Sequence, residues 1–465
     1  MITKLGEKST HLFLKYMPNA FVFAILLTLI TGLGALLWLN ATPLKIIQSW
    51  YDGFFDLLGF AMQIILIIIT GFSIALSPII KKWIDRLALK IKSPTQVYIV
   101  VLVVGGMLCL VSFGWAIITA VFARELAKRV RGIDYSYLIA CVYVSMGTWV
   151  LGLSSSIPLL LNTEKNYLLE GNVLTELIPT SYTLGSTLNK AMILFSLIII
   201  PLVMWLLRPK HMKQKELRDL LLSNEETKQI SIKEEANNLK LPFKSVSDFL
   251  NNNIFIQMII VLMGLTLIIN HFYSRGFDLN FNIMIFIFII VGLALHKTPM
   301  RYVIAMKRSS TNISGILFQY PFYAGIMGIM LYTGLGNKLG ELMASAATME
   351  TYPFFAYLTG SVVNFAIPSA GGEFAVVGPS IINAVKEIGA GLPPEEITAM
   401  ISRASLSVAY GESLSNMMQP FYLLIIMPVM GAGTNLQARD IMGYLLLPFI
   451  LFFAIQVMMI TWLPL

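Results

Sequence analysis

N-F-A-I-P-S-A-G-G-E, residues 364 to 373, lies inside an apolar run that extends from 352 to 388. Proline lacks the helical N–H and adjacent glycines weaken a helix, so a membrane-spanning helix breaks here. Backbone freed at membrane depth is tolerated only where protein or a watery cavity satisfies it. Working outward, a second long run, 96 to 122, holds a similar break at S-F-G-W-A, 112 to 116. The block after each run is interrupted as well, at G-L-S-S-S-I-P (152 to 158) and at G-E-S-L-S-N-M-M-Q-P (411 to 420). Both interruptions end in proline.

The rest of the chain sets these breaks in a membrane. Of its 465 residues, 57% belong to the set AVILMFWYC and 12% are charged, and the mean hydropathy is +0.75. A soluble domain carries about twice that charged fraction. Apolar blocks occupy about 18 to 39, 56 to 80, 96 to 122, 134 to 162, 187 to 207, 254 to 271, 281 to 296, 311 to 334, 352 to 388, 400 to 430 and 441 to 463. Blocks of this kind fit a hydrocarbon core about 30 Å thick. The reading is an all-α polytopic membrane protein, which excludes a soluble enzyme, a nucleic-acid binder and a secreted disulfide scaffold despite the net charge of +8. Cys109 and Cys141 sit inside apolar blocks without C-x-x-C spacing and read as buried thiols. His11, His211, His271 and His296 have no mutual metal spacing, so no metal centre or cofactor is expected. The lysines at 4, 8 and 15 precede a run too long for a secretory signal, which reads as an uncleaved first helix.

Charge decides the topology. If every block spans once from a cytoplasmic N-terminus, 13 Lys and Arg fall inside and 19 outside, with Arg403 set aside within a block. That violates the positive-inside rule. If 96 to 122 and 352 to 388 are re-entrant hairpins, the distribution becomes 26 inside and 6 outside. The expected organisation is a first membrane repeat (1–207), a charged cytoplasmic linker (208–250), and an extra helix with a second membrane repeat (251–465). Features recur at a nearly constant offset: Gln63 with Gln319, Phe113 with Phe365, Ser154 with Ser415. Short amphipathic pieces, K-K-W-I-D-R-L-A at 81 to 88 and N-K-L-G-E-L-M-A at 337 to 344, precede the two hairpins. Opposite-facing hairpins in two halves make an inverted-topology repeat, in which paired, Gly/Pro-interrupted segments point to a transported substrate.

Broken helices place unpaired helix N-termini near the midplane, where their partial positive charge suits a carboxylate. Ser and Asn beside unwound carbonyls also offer oxygen ligands to a small cation. The substrate-binding candidates are Ser112, Ser154, Ser155 and Ser156 in the first half and Gln319, Asn364, Ser369, Ser413, Ser415 and Asn416 in the second. Each also fits a packing or interhelical hydrogen-bond role. Glu412 and Glu373, intramembrane carboxylates beside glycine, are the cation-coupling candidates, with Arg403 as the alternative partner of Glu412. Trp115, Trp149, Tyr320, Phe322 and Tyr323 are aromatic candidates for a wall around a short acyl chain. Neither a nucleophile elbow nor a phosphate-binding loop is present, which argues against an enzyme and against ATP hydrolysis.

The stretches Q-Y-P-F-Y-A-G-I-M-G-I-M (319 to 330), N-F-A-I-P-S-A-G-G-E-F-A-V-V-G-P (364 to 379) and G-E-S-L-S-N-M-M-Q-P-F (411 to 421), with S-F-G-W-A and L-S-S-S-I-P-L, resemble the bacterial short-chain fatty acid transporter family, the acetoacetate and butyrate uptake type. The resemblance runs over nearly the whole chain. It implies the ion transporter superfamily fold, with two inverted repeats, a substrate-carrying region and a scaffold that commonly dimerises, so a homodimer stays open. It also implies short monocarboxylates as substrates, with H+ or Na+ as the coupling ion. Glu412 stands where relatives are expected to carry Asp.

The expected function is therefore a cation-coupled symporter of acetate-, butyrate- or acetoacetate-like acids, multi-pass in the bacterial inner membrane, with lipid as its surroundings and no nucleic-acid partner. A dicarboxylate or amino-acyl carrier of the same fold and a passive anion channel are the alternatives.

Overall fold

The computed structural model describes residues 18–56, 58–163, 166–209, 215–222, 231–243, 245–276, 281–311 and 313–465. The expected cytoplasmic N-terminus and parts of the linker lie outside these residues. Apart from a backbone pairing between Leu221 and Thr434, regular structure among the described residues is helical. In chain order the first half contains α1 (Ala20–Trp38), α2 (Pro43–Asp56), α3 (Leu58–Ala75), α4 (Pro78–Ala88), α5 (Pro94–Val111), α6 (Ala116–Arg129), α7 (Tyr135–Met146) and α8 (Ser156–Leu161). It closes with α9 (Thr187–Leu194), a π turn (Phe195–Ile199) and α10 (Ile200–Leu207). The second half contains α11 (Ile254–Arg275), α12 (Phe281–His296), α13 (Pro299–Ser310), α14 (Ser314–Tyr332), α15 (Leu335–Ser345), α16 (Tyr352–Val363), α17 (Ala370–Ile388), α18 (Pro394–Ser415), α19 (Leu423–Met430) and α20 (Leu446–Trp462).

Local chemistry sets several starts. Ser93 and Gln96 close a capping box around Pro94 at the head of α5. Asp134 caps α7 through Tyr137 N, and Asn253 caps α11 through Phe255 N and Ile256 N. Among the described residues, five helical stretches are long and apolar enough to cross a membrane: 21–38, 94–111, 135–161, 187–207 and 246–275. The pair 394–418 and 423–430, bent by 47°, makes a sixth if counted as one span. The stretch 135–161 is the most enclosed of the five, whereas 21–38 and 246–275 expose most of their apolar surface. That exposure suits lipid as the solvent.

The anticipated break at 112 to 116 separates α5 from α6. α6 returns along α5: a Cβ on Gly105 would lie 2.6 Å from Thr119 Cγ2, with the two residues equally far from Ser112. The break at 364 to 369 separates α16 from α17. α16 packs backbone to backbone on α18, since a Cβ on Gly360 would lie 2.3 Å from Val408 O and one on Gly411 2.1 Å from Tyr357 O. Small residues permit this approach in bilayers.

Two expectations change. Gly411 and Glu412 were expected inside an interrupted helix, but α18 runs unbroken to Ser415 and the interruption falls at 416–422. The glycine serves close packing on α16 and does not end the helix. In the first half the break begins at Gly147, earlier than the expected 152, with a tight turn over Gly147–Leu151. The helices at 43–56 and 299–310 were not anticipated, because neither is an apolar block. α2 is amphipathic and packs on α14, where a Cβ on Gly53 would meet Gly328 Cα at 2.5 Å.

The described parts of the linker are docked. Tyr135 N donates to Lys215 O, Gly132 N to Glu216 Oε1 at 2.7 Å, and Leu222 N to Gly433 O. Ile232–Asn238 packs on α13, with an ion pair between Glu235 and Arg308. Arg124, buried in α6, donates to Met430 O and Ala432 O at 2.6 Å each. Lys386, near the end of α17, donates to Val173 O at 2.7 Å.

Candidate functional site

Asn364, the residue after α16, organises the second half. Its Nδ2 reaches Ser415 Oγ at 2.7 Å, Asn416 Oδ1 at 2.9 Å and Glu412 O at 3.1 Å, all at the end of α18. Ser415 Oγ itself donates to Glu412 O at 3.0 Å, and Asn416 Nδ2 to Glu412 Oε1 at 3.3 Å. Gln419 closes the network, donating to Asn416 Oδ1 at 2.7 Å and to Asn364 O at 3.2 Å. Tyr143 Oη, from α7, reaches Asn416 O at 2.6 Å and Gln419 O at 3.0 Å. The helix break after Ser415 thus has its freed carbonyls met by side chains, as burial requires.

In the first half, Phe113 N donates to Ser154 Oγ at 3.0 Å, and Leu153 N to Leu110 O at 2.8 Å. Gly152 is indispensable to this approach, because a Cβ there would lie 1.9 Å from Leu110 O. Ser413 Oγ crosses to Gly147 O at 2.8 Å, which joins the two halves at their broken segments. Asn189 Nδ2 holds Leu151 O at 2.9 Å, while its Oδ1 accepts from Tyr410 Oη at 3.0 Å.

Between these breaks lies a cavity of about 50 Å³. Phe113, Tyr143, Trp149, Ser413, Asn416, Tyr422, Ser196 and Gln456 contribute to its lining, together with the backbone turn at 147–151. The rings of Phe113, Trp149 and Tyr422 meet edge to face, each contact at 5.5 Å between centroids. Among the sequence candidates, Ser413 and Asn416 line this cavity. Asn364, Ser415 and Glu412 stand behind them in the same network, and Ser154 holds the backbone of the lining residue Phe113. Ser112 ends α5 beside that residue.

The other candidates gather elsewhere. A Cβ on Gly371 would lie 3.9 Å from Ser156 Cβ, so α8 approaches the start of α17 near Ser369 and Glu373. Ser369 O accepts from Glu373 N at 2.7 Å. The hydroxyls of Ser155 and Ser156, Gln319 Oε1 and both Glu373 carboxylate oxygens are buried without a hydrogen-bond partner among the described residues. Gln319 precedes the Tyr320 and Tyr323 rings, which pack on Phe421 at 4.6 and 4.8 Å. Gln63, its proposed counterpart, is half-buried and donates to Asn282 Oδ1 instead.

Glu412 and Glu373 are fully buried. Glu412 Oε1 accepts from Asn416, while its second oxygen has no partner among the described residues. The alternative pairing with Arg403 does not form: that guanidinium donates to Ile460 O at 2.7 Å, the C-terminal turn of α20. Neither carboxylate has an ion-pair partner among the described residues. Asn364 Oδ1 and Gln419 Oε1 are also unpartnered, because both amides spend their N–H groups on the network. Sequence reading passed over Tyr143, Ser196, Gln419 and Gln456. Gln419 lay within a quoted motif, whereas Tyr143 and Ser196 carry no signal beyond their place in an apolar block.

A family model described as short chain fatty acid transporter matches residues 1–463. A Haemophilus influenzae protein named for short-chain fatty acid transport is 33% identical over 450 residues, 96% of each chain. An Escherichia coli K12 protein of the same name is 34% identical over 445 residues, again 96% of each. Among solved structures, the YdaH transporter of Alcanivorax borkumensis aligns at 14% identity over 98% of both chains with a TM-score of 0.43. MtrF of Neisseria gonorrhoeae, from a class of antimetabolite efflux pumps, aligns at 13% identity over 97% of this chain and 96% of its own, also at 0.43. That level of common geometry is too low to carry over topology or site residues. With the family match over nearly its full length, the chain belongs to the short-chain fatty acid transporter family, whose members are transporters and not enzymes.

Proposed function

We propose that this protein is a cation- or proton-coupled carrier of short monocarboxylates, working by alternating access in the bacterial inner membrane. The observation that carries the reading is the excess of buried acceptors: Glu412 Oε2, both oxygens of Glu373, Asn364 Oδ1 and Gln419 Oε1 all lack donors among the described residues. Among the described residues, no Lys or Arg lines the cavity. A carboxylate substrate added there would bring more negative charge near the buried Glu412. Only a proton or a cation taken up with it offsets that cost. The absence of a cationic wall also favours a monocarboxylate over a dicarboxylate.

A cavity of about 50 Å³ is a third of the ~150 Å³ that admits benzene. A four-carbon acid needs the walls to move, which suits a closed stage of an alternating cycle. Loop contacts support two re-entrant hairpins. That topology puts 123–133, the linker and 431–440 on one side, and they meet through Gly132 with Glu216 and Leu222 with Gly433. It puts 163–186 and the end of α17 on the other, consistent with Lys386 on Val173 O. Simple alternation would keep 123–133 with the linker but put 431–440 opposite them, and would part 163–186 from the end of α17, so the discriminating contacts are Leu222 with Gly433 and Lys386 with Val173. The serines also support an inverted repeat, since Ser154 and Ser415 each tie a hairpin tip to the broken segment that follows.

The test is counterflow of labelled butyrate in proteoliposomes, with sodium and proton gradients imposed separately. Accumulation driven by one gradient supports the carrier. Flux that only dissipates gradients, without counterflow, would identify a channel.

A further inference from the structure

The last apolar helix carries an amide that no motif marked. α20 reads L-L-P-F-I-L-F-F-A-I-Q-V-M-M-I-T-W, and Gln456 is its one amide side chain. In a bilayer both ends of such a group need partners. Tyr357 Oη donates to Gln456 Oε1 at 2.8 Å, and that hydroxyl has no other partner among the described residues. With the tyrosine proton given to Oε1, the amide nitrogen is the end left over. Its nitrogen, with two N–H donors, meets no acceptor among the described residues, and Gln456 lines the cavity.

A second polar group stands on the same wall. Ser196 lies in the π turn, a feature frequent at functional sites. It lines the cavity, and its hydroxyl has no hydrogen-bond partner among the described residues. The edge-to-face contact of Phe195 with Phe452, at 5.8 Å, holds the π turn against α20 one turn before Gln456. Around these two groups the wall is apolar, with Ile200 and Phe452. In a monocarboxylate carrier whose substrate carboxylate sits toward Ser413 and Asn416, this is the side left for the acyl tail.

Building on that carrier reading, we infer that Gln456, with Ser196 beside it, hydrogen-bonds an oxygen on the substrate's acyl chain, so that the carrier favours short acids bearing a keto or hydroxyl group over plain alkyl acids. An alkyl tail would leave the amide N–H groups unpaired. Sites built to bond a polar group discriminate against the analogue that lacks it far more strongly than an apolar pocket discriminates one methylene. A neutral donor also fits a neutral oxygen better than a second carboxylate.

The experiment compares counterflow of labelled 3-hydroxybutyrate and labelled butyrate by the full-length protein in proteoliposomes. In Gln456→Met, which keeps the length and removes the donors, the ratio of 3-hydroxybutyrate to butyrate flux should fall about tenfold. An unchanged ratio overturns the inference. An equal loss of both fluxes also overturns it, by assigning Gln456 to the carboxylate. Should Gln456→Met fail to fold, Tyr357→Phe decides: releasing the amide should lower the same ratio about threefold, and an unchanged ratio there is equally fatal. A wild-type protein that carries neither acid instead defeats the transport reading beneath it.

Discussion

Asn364 Nδ2 lies 2.7 Å from Ser415 Oγ, joining the end of α16 to the end of α18 across 51 residues of sequence. Both groups are buried, and the same amide also reaches Asn416 and Glu412 O. The two helices therefore cannot part at this point without exposing several unpaired polar atoms.

Replacing Asn364 by alanine removes three hydrogen bonds at once. The expected cost is about 1 to 3 kcal/mol of stability for the buried groups left unpaired. Thermal unfolding in detergent should show a lower midpoint, and butyrate counterflow should fall while purified protein remains folded. Unchanged butyrate affinity would remove Asn364 from the site.

Glu412→Gln keeps shape and removes charge, so accumulation against a gradient should be lost while exchange persists. Because Arg403 is engaged with Ile460 O, adding Arg403→Gln should not restore accumulation. Recovery in the double variant would make the pair a salt bridge in a working state and take the coupling role from Glu412.

Gly411→Ala probes the contact between α16 and α18. A methyl there falls 2.1 Å from Tyr357 O, which is backbone and cannot yield as a side chain would. Overpacking of this kind costs about 1 to 3 kcal/mol. Gly391, where the added Cβ meets nothing within 4 Å but φ is +94°, offers a contrast in which the strain is conformational. Both alanine variants should melt earlier, but only Gly411→Ala should also change the rate of counterflow.

Phe113→Leu opens the aromatic wall formed with Trp149 and Tyr422. The fold should lose about 1 kcal/mol, as for other near-conservative core exchanges. Competition against labelled butyrate should shift toward longer acids, with hexanoate gaining relative to acetate. No shift in that order would place the tail elsewhere.

Single cysteines at Lys92 and Arg131, both exposed, should resist an impermeant reagent applied to intact cells, whereas one at Glu176 should react. Labelling of both Lys92 and Arg131 from outside would defeat the hairpin topology.

Composition and local patterning set the class, the positions of most helices and two of the four places where they break. Apolar block length and the chemistry of Pro and Gly are local properties, so S-F-G-W-A and N-F-A-I-P-S-A-G-G-E announce their breaks without any partner. The motif at 411 to 420 located the network of Glu412, Ser415 and Asn416 for the same reason. Tertiary structure decided what a break is for. Gly411 looked like a helix breaker, yet its missing Cβ is spent against Tyr357 O on another helix. Arg403 looked like a partner for Glu412, yet a carbonyl of α20 takes it. Gln456 had no motif around it, because its meaning depends on Tyr357, 99 residues away, which satisfies one end of the amide. Local patterns carry backbone preference, but hydrogen-bond satisfaction and close packing are settled between segments distant in the chain, and those pairings arise only in the folded protein.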